Sequence, residues 1–145
     1  MSWPEPRPGL VIRYSYLWRR EAEAGRDEGV KDRPCAIVVA VKTEAGETMV
    51  YVLPITHTPP RVADDALELP QPTKARLGLD SDRSWIMLTE ANIFAWPGPD
   101  LRFVEGRGPE SIAYGMLPPQ LMAVVRQRFV KLLQARRTGV VKRTQ

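Results

Sequence analysis

Two apolar segments joined by a short polar turn constrain the fold of this chain more than any other feature. Residues 35–41 are apolar without interruption, and residues 48–55 are mostly apolar after the turn at 43–47. Runs of this length between turn residues are typical of strands with both faces buried. Gly46 suits the reversal because glycine adopts a positive φ at little cost. The sequence therefore predicts an antiparallel hairpin of two buried strands.

Shorter strands and loops are predicted around this hairpin. The expected strands are 10–18, 85–88, 92–96 and 101–104, with a brief extended piece at 66–69. Charged and small residues fill 19–32, which predicts a long polar loop with a short helical turn at 19–24. Prolines favour an irregular segment at 57–84, and glycines favour a connecting loop at 105–115.

A helix is predicted near the end of the chain, over residues 118–137. Its apolar positions recur at intervals of four residues, namely at Leu121, Val125, Phe129 and Leu133. Pro118 and Pro119 suit its first turn, and Gly139 is a suitable stop. Basic residues fall mainly on its outer and C-terminal side, where they complement the helix dipole. We expect this amphipathic helix to pack against the sheet and not to anchor in a membrane.

Many short strands, glycine and proline turns and one terminal helix predict a mainly β protein with helices. The expected architecture is a small closed or half-open β-barrel with a C-terminal amphipathic helix. A chain of 145 residues fits one domain. We place an extended, proline-rich N-terminal arm at 1–8, the barrel domain at 9–137 and a basic tail at 138–145.

The excess of positive charge is concentrated at the C-terminal end of the chain. Residues 136–145 contain four basic residues and no acidic ones, which leaves 17 Lys and Arg against 17 Asp and Glu elsewhere. A nearly neutral body argues against a duplex-DNA binder that works by broad charge neutralisation. A basic tail is usually a solvated end, and less often a weak contact for nucleic acid or a partner.

Composition also argues against several other classes of protein. No apolar run approaches the ~20 residues needed to span a bilayer, and residues 1–8 lack the apolar core of a signal peptide. We therefore expect a cytoplasmic protein with no membrane partner. One cysteine and one histidine exclude an internal disulfide and argue against a structural zinc site. No glycine-rich phosphate loop or magnesium-binding carboxylate cluster is recognisable, so we predict neither cofactor nor metal.

Two short motifs at the ends of the predicted hairpin strands indicate a phosphate site. Asp32-Arg33-Pro34 precedes the first strand, and Pro54-Ile55-Thr56 ends the second. Adjacent strands would place a guanidinium and a hydroxyl together, and both groups bind phosphate oxygens. Each residue also has a purely structural interpretation: Arg33 as a surface cation paired with Asp32 or Glu28, and Thr56 as a cap of a backbone group.

With these motifs in place, the chain resembles the MazF/PemK family of toxins from toxin-antitoxin systems. The resemblance covers roughly residues 7–135 in the order of elements. Its details are Arg33-Pro34 before one apolar strand, Pro54-Ile55-Thr56 after the next, the later segment 88–96 and a helix beginning near Leu117-Pro118. The family implies a compact SH3-like barrel with added helices, usually a homodimer.

The resemblance further implies an activity and a set of partners. Members of the family are metal-independent endoribonucleases that cut single-stranded RNA by attack of a ribose 2′-hydroxyl on the adjacent phosphate. Their catalytic arginine and threonine correspond to Arg33 and Thr56. A cognate antitoxin protein would occupy the RNA groove, and operator DNA would be bound only through the antitoxin complex.

Other residues are candidates for acid-base chemistry or RNA contact. Thr89-Glu90 lies where the family carries an acid followed by glutamine, so Glu90 is a candidate base or RNA acceptor, with a structural salt bridge as the alternative. His57 suits proton transfer near neutral pH, although in an extended chain it would point away from Thr56. The predicted RNA-binding residues are Trp18, Arg19, Arg20 and Lys31, with Trp18 as the candidate for base stacking.

Two rival functions remain open at the level of the sequence. One is a non-catalytic SH3-like module whose groove binds a peptide or nucleic acid, and the other is a gyrase-inhibiting toxin of the CcdB kind. A shared exposed groove for Arg33 and Thr56 would favour the ribonuclease. An ion-paired Arg33 or a buried Thr56 would favour the binding module. Exposed apolar residues at the end of the final helix would favour the gyrase inhibitor.

Overall fold

The computed structural model describes residues 3–26, 29, 31–107 and 111–143. Within these residues the strands are β1 Leu10–Tyr14, β2 Arg33–Lys42, β3 Thr48–Thr56, β4 Ala66–Glu68, β5 Trp85–Met87, β6 Glu90–Ala95, β7 Ala113–Met116 and β8 Gly139–Lys142. The helices are α1 Arg19–Glu23, α2 Gln71–Leu77 and α3 Pro119–Gln134, with a 3-10 turn at Ala63–Asp65. The prediction of a mainly β protein with helices is confirmed.

The strands form one open, branched sheet that is mostly antiparallel. Its main order is β4-β5-β3-β2-β1-β7, and β6 also pairs with β3. The branch arises because the first half of β3 pairs with β6 through 49–52, whereas Ile55 and Thr56 pair with β5. The last strand, β8, pairs with β6 in parallel. These pairings set the end of β3 beside β5, β2 and the loops that follow them.

The predicted hairpin is confirmed as β2 and β3. The two strands are antiparallel with Cys35 opposite Pro54, and the register shifts between Ile37 and Val39. Gly46 lies in the connecting turn with φ +88, as its position in the sequence predicts. Neither strand alternates polar and apolar residues, because both faces of the hairpin are covered.

Two hydrophobic clusters lie on the two sides of the sheet. One contains Ala36 and Val38 together with the buried face of α3, which is formed by Met122, Val125 and Phe129. The other contains Cys35 and Ile37 with residues of β1, β3 and β6, including Tyr14, Val52 and Phe94. Consecutive residues of β2 therefore point into different clusters, which explains the apolar run from 35 to 38, whereas Val39 and Ala40 are half-buried and Val41 is exposed.

Several elements differ from the sequence prediction. The first strand ends at Tyr14 and not at Trp18, and the expected strand at 101–104 is reduced to one bridge between Tyr14 and Leu101. The segment 57–84, predicted to be irregular, contains β4 and α2, and the connection 105–115 contains the start of β7. Helix α2 escaped prediction because prolines surround it, although Gly78 ends it in the left-handed conformation.

The C-terminal segment also differs from the expected basic tail. Helix α3 ends at Gln134 rather than at 137, and Gly139–Lys142 then form β8 against β6. Arg143 is buried, and it donates hydrogen bonds to the Ser15 carbonyl at 2.7 Å and to Asn92 Oδ1 at 3.0 Å. Its guanidinium also pairs with Asp100 at 3.1 Å. Residues 144 and 145 lie outside the described part of the chain.

None of the helices in the described residues combines the length and hydropathy that crossing a membrane requires.

Candidate functional site

A groove of about 710 Å³ opens where β2 begins and β3 ends. Seven of the nine site residues predicted from the sequence line it: Trp18, Arg20, Lys31, Arg33, Thr56, His57 and Glu90. They come from four separated segments of the chain, so the fold brings together residues that the sequence only suggests. Arg19 and Thr89 do not line the groove.

Arg33 and Thr56 lie on neighbouring strands at this groove. The β2–β3 pairing ends with Cys35 opposite Pro54, and Arg33 and Thr56 each lie two residues beyond this last pair, at the start of β2 and the end of β3. Side chains two residues apart in a strand share a face, so both side chains lie on the face that carries Cys35. A phosphate between them would meet a guanidinium and a hydroxyl.

The Arg33 guanidinium is held by an aromatic ring and not by a carboxylate. It lies over the Trp18 ring at 5.0 Å, and its Nε is buried without a hydrogen-bond partner. It forms no ion pair with the described residues, and burial lowers the pKa of Arg33. Asp32, the expected partner, instead contacts Arg13 and Arg102 at 3.8 and 3.6 Å. The other expected partner, Glu28, lies outside the described residues.

Thr56 is half-buried at the end of β3. Its Oγ1 accepts a hydrogen bond from the Thr58 amide at 3.2 Å, which is the backbone cap that the structural interpretation predicts. The hydroxyl proton remains able to donate, because this bond uses only an oxygen lone pair. Capping therefore fixes the oxygen at the groove without removing its donor.

Glu90 begins β6 and faces the groove from its other side. Its Oε1 accepts a hydrogen bond from the Arg19 amide at 2.8 Å and lies 3.5 Å from the Tyr16 hydroxyl. Burial raises the pKa of Glu90. The expected structural salt bridge is not among the contacts of the described residues.

Trp18 lies in the short segment between β1 and α1. Two guanidinium groups contact its ring, that of Arg33 at 5.0 Å and that of Arg20 at 5.2 Å, and Tyr16 meets it edge-on. Arginine stacks well on indole because the ring face is electron-rich. The ring thus holds two cations at the groove, in addition to being the predicted surface for a nucleotide base.

Arg19 and Thr89 do not line the groove, although each is next in sequence to a residue that does. The Arg19 side chain pairs with Glu23 at 3.5 Å and lies against Gly139, where an added Cβ would come within 2.9 Å of its Cδ. The Thr89 carbonyl accepts a hydrogen bond from the Gly139 amide at 2.8 Å. Both residues therefore connect the groove to β8.

Sequence reasoning missed one group of residues beside Thr56. His57 Nε2 lies 2.9 Å from Asp80 Oδ2, and the buried Lys74 Nζ lies 2.8 Å from Asp80 Oδ1. Lys74 also donates to the Asp82 carbonyl and to Ser84 Oγ. No spacing in the sequence could have revealed this group, since Lys74 belongs to α2, a helix that the proline-rich segment 57–84 did not predict.

The same group includes three metal-ligating side chains. Ligand atoms of His57, Asp80 and Asp82 lie within 4.8 Å of one another, and all three residues are exposed. Lys74 already places a positive charge against Asp80, so a divalent cation would have to compete with an ammonium group there. The donor set therefore does not fit a metal centre well.

A second cavity, of about 730 Å³, lies along α3 on another part of the surface. It is lined mainly by apolar side chains such as Met116, Met122 and Val130, together with Arg126 and Lys131. It contains none of the predicted site residues, so the functional argument concerns the groove at Arg33.

Comparisons with protein-family models, with characterised proteins and with solved structures give no match to this chain.

Proposed function

We propose that this protein is a metal-independent endoribonuclease that cuts single-stranded RNA, inhibits growth in the cytoplasm and is neutralised by a cognate antitoxin protein. The observation that carries the proposal is the shared groove of Arg33 and Thr56, in which Arg33 has no carboxylate partner among the described residues. A guanidinium without an ion pair is available to an anionic ligand, although Glu21 lines the same groove and interacts with it electrostatically.

The proposed reaction is an internal transfer at phosphorus. The ribose O2′ attacks the adjacent phosphate, the P–O5′ bond breaks, and the products are a 2′,3′-cyclic phosphate and a 5′-hydroxyl. Arg33 would neutralise the charge that develops on the phosphoryl oxygens, and Thr56 would donate a hydrogen bond to one of them. The partial burial of Arg33 supports this role, because electrostatic stabilisation is stronger away from solvent.

Single-stranded RNA suits the groove better than a duplex. Among the described residues, four further Lys and Arg side chains line it: Lys74, which is buried and paired with Asp80, and Arg20, Lys31 and Arg61. Trp18 supplies an aromatic ring. Grooves that combine cations with an aromatic ring favour unpaired strands, whose bases are free to stack, although this groove is also lined by Glu21, Asp32, Asp80 and Glu90. Glu90 is the proposed acceptor for a base edge or a reacting proton.

The proposal includes the architecture and partners that the resemblance implies. The branched sheet would correspond to an SH3-like barrel, and two copies would form a homodimer. The antitoxin would block RNA by occupying the groove, and operator DNA would be bound through the antitoxin complex. Leu133 near the end of α3 is exposed, which is the one described feature in favour of the gyrase alternative, but the residues that follow α3, Gly139–Arg143, lie against β6 and add no apolar helix end.

The decisive experiment is RNA cleavage by the purified protein in EDTA. A long, weakly structured RNA is incubated with the wild type, with Arg33→Ala and with Arg128→Ala, a matched control for an exposed arginine on α3. We expect site-specific cuts with 5′-hydroxyl ends, a loss of roughly 100-fold or more in Arg33→Ala and wild-type rates in Arg128→Ala. Circular dichroism checks that both variants fold.

Two outcomes would count against the proposal. The absence of cutting by folded, antitoxin-free protein across diverse RNAs would favour the non-catalytic binding module. Cuts that persist in Arg33→Ala would mean that the site lies elsewhere or that the activity is a contaminant.

A further inference from the structure

Lys74 is the most deeply buried charged side chain near the groove. Its residue is 1% exposed, although it belongs to the short helix α2 near the surface. An ammonium group is costly to bury unless each of its protons has an acceptor. Lys74 Nζ donates to Asp80 Oδ1 at 2.8 Å, to Ser84 Oγ at 2.7 Å and to the Asp82 carbonyl. All three donors are satisfied, so the buried charge is fixed in one position.

Asp80 connects the buried Lys74 with His57, which lines the groove. Its Oδ1 accepts a hydrogen bond from Lys74 Nζ at 2.8 Å, and His57 Nε2 lies against both of its oxygens, 3.1 Å from Oδ1 and 2.9 Å from Oδ2. The hydrogen bond from Lys74 lowers the pKa of Asp80, so this carboxylate accepts hydrogen bonds and has no proton to donate. His57 Nε2 must therefore carry the proton of this contact, which leaves Nδ1 as the basic nitrogen of the neutral ring.

His57 is also well placed for chemistry in the groove. It follows Thr56 directly, lines the same groove and keeps about half of its side chain exposed. The ring is thus oriented on one side by a fixed carboxylate and accessible on the other. An imidazole that a carboxylate holds in one orientation is a typical arrangement for general acid-base catalysis.

We propose that His57 is the general base of the groove and that Asp80 and Lys74 are the residues that position it. The inference rests on the proposed ribonuclease function. His57 Nδ1 takes the proton of the ribose 2′-hydroxyl as O2′ bonds to phosphorus. The P–O5′ bond breaks, and O5′ takes a proton from water. Lys74 does not touch the substrate and acts through Asp80.

Two carboxylates lie beside the His57 ring. Ligand atoms of His57, Asp80 and Asp82 lie within 4.8 Å of one another, Lys74 Nζ lies 2.8 Å from Asp80 Oδ1, and Arg33 and Arg61 line the same groove. Asp80→Asn replaces the carboxylate that accepts the Nε2 proton with an amide that can also donate, so the ring loses its fixed tautomer. Lys74→Met keeps the Asp80 carboxylate but removes the group that fixes its position.

The test is a pH–rate profile for single-turnover cleavage of a short RNA. For the wild type we expect a rate that rises with pH to a plateau. His57→Ala should lose roughly 100-fold or more on the plateau. Asp80→Asn and Lys74→Met should each lower the plateau rate, by less than His57→Ala does, because the imidazole remains but is no longer held in position. The exposed Asp64→Asn is the matched control and should leave the profile unchanged.

Nitrogen NMR of the imidazole gives a readout that does not depend on cleavage. His57 is the single histidine of the chain, so its ring signals are unambiguous. The wild type should show the Nε2-protonated tautomer, and Asp80→Asn should lose that preference even if Lys74→Met fails to fold. Wild-type cleavage with full activity in His57→Ala, or an Nδ1-protonated ring, overturns this inference and leaves the ribonuclease standing. A wild type that cuts no RNA overturns the ribonuclease and this role together.

Discussion

Arg33 combines partial burial with the absence of an anionic partner in the described residues, and this combination costs stability. Most buried guanidinium groups are paired, as Arg143 is with Asp100 in the same molecule. Arg33 instead leaves its Nε without a hydrogen bond and is held by the Trp18 ring at 5.0 Å. Such unfavourable placements are concentrated at functional sites, where the ligand supplies the missing contact.

Glu90 gives the pH-dependent prediction at the residue scale. Burial raises its pKa in the folded state, so folding favours its protonated form. Its contribution to the free energy of unfolding is present in full below the unfolded pKa and is lost as pH rises through the folded pKa. Glu90→Gln cannot ionise. We therefore expect the stability difference, variant minus wild type, to increase as pH rises from about 4 to 7, as measured by urea unfolding.

Asp80 affects the free energy of unfolding in the opposite direction. Its pKa is lowered in the folded state, so its stabilising contribution is lost as pH falls. That contribution is common to the wild type and Glu90→Gln, so it cancels in the difference. A difference that is flat with pH would show that Glu90 ionises as freely in the folded state as in the unfolded chain.

At the scale of elements, the sequence predicted best where the apolar pattern alone decides the structure. The β2–β3 hairpin and α3 follow from local patterns, and both are confirmed. In contrast, α2 depends on Leu77 reaching the core and on the satisfied buried Lys74, which are tertiary contacts. The strand β8 likewise needs the edge of β6, which no local signal in 138–145 reveals.

Arg143 directly follows β8, and its substitution tests how much its buried side-chain contacts stabilise the fold. Arg143→Ala would leave the buried Asp100 carboxylate without this cation and Asn92 Oδ1 without this donor. Loss of one partner of a buried ion pair typically costs about 3–5 kcal/mol. We expect Arg143→Ala to lower the free energy of unfolding by about that amount in urea titrations. Lys142→Ala, at an exposed neighbouring position, is the control and should change it little.

If Arg143→Ala and Lys142→Ala unfold at the same urea concentration, the buried side-chain contacts of Arg143 contribute little to stability. The contacts of Arg143 with the Ser15 carbonyl and Tyr14 would then be a consequence of the fold and not a cause of it.

At the scale of the whole molecule, the groove depends on the folding of distant segments onto one another. The sequence suggested seven of its lining residues through motif and charge, including Arg33, Thr56 and His57. It gave no indication of Lys74 or Asp80, because their role depends on where α2 packs. The expectation that His57 points away from Thr56 assumed a straight strand, whereas β3 ends at Thr56 and both residues line the groove.

The charge of the groove predicts how RNA binding depends on salt. Four cations that line it are available for phosphates: Arg20, Lys31, Arg33 and Arg61. Counterion release from a single strand then gives a slope of about −3 for log K against log salt. A labelled 2′-O-methyl RNA, which lacks the attacking hydroxyl, allows binding to be measured by fluorescence anisotropy without cleavage.

Arg61→Ala should reduce the magnitude of this slope by about 0.7, and Arg128→Ala on α3 should leave it unchanged. A salt-independent affinity, or equal slopes for both variants, would contradict an electrostatic RNA groove at this position.

The parallel pairing of β6 with β8 also has a consequence for biosynthesis. Asn92 pairs with Val141, so the outer edge of β6 stays unpaired while the ribosome makes the intervening residues, including all of α3. An unpaired edge of this kind can join with other chains. During synthesis, the nascent protein is therefore most exposed to aggregation between the emergence of β6 and that of β8, and a chaperone acting in this interval would have this edge to protect.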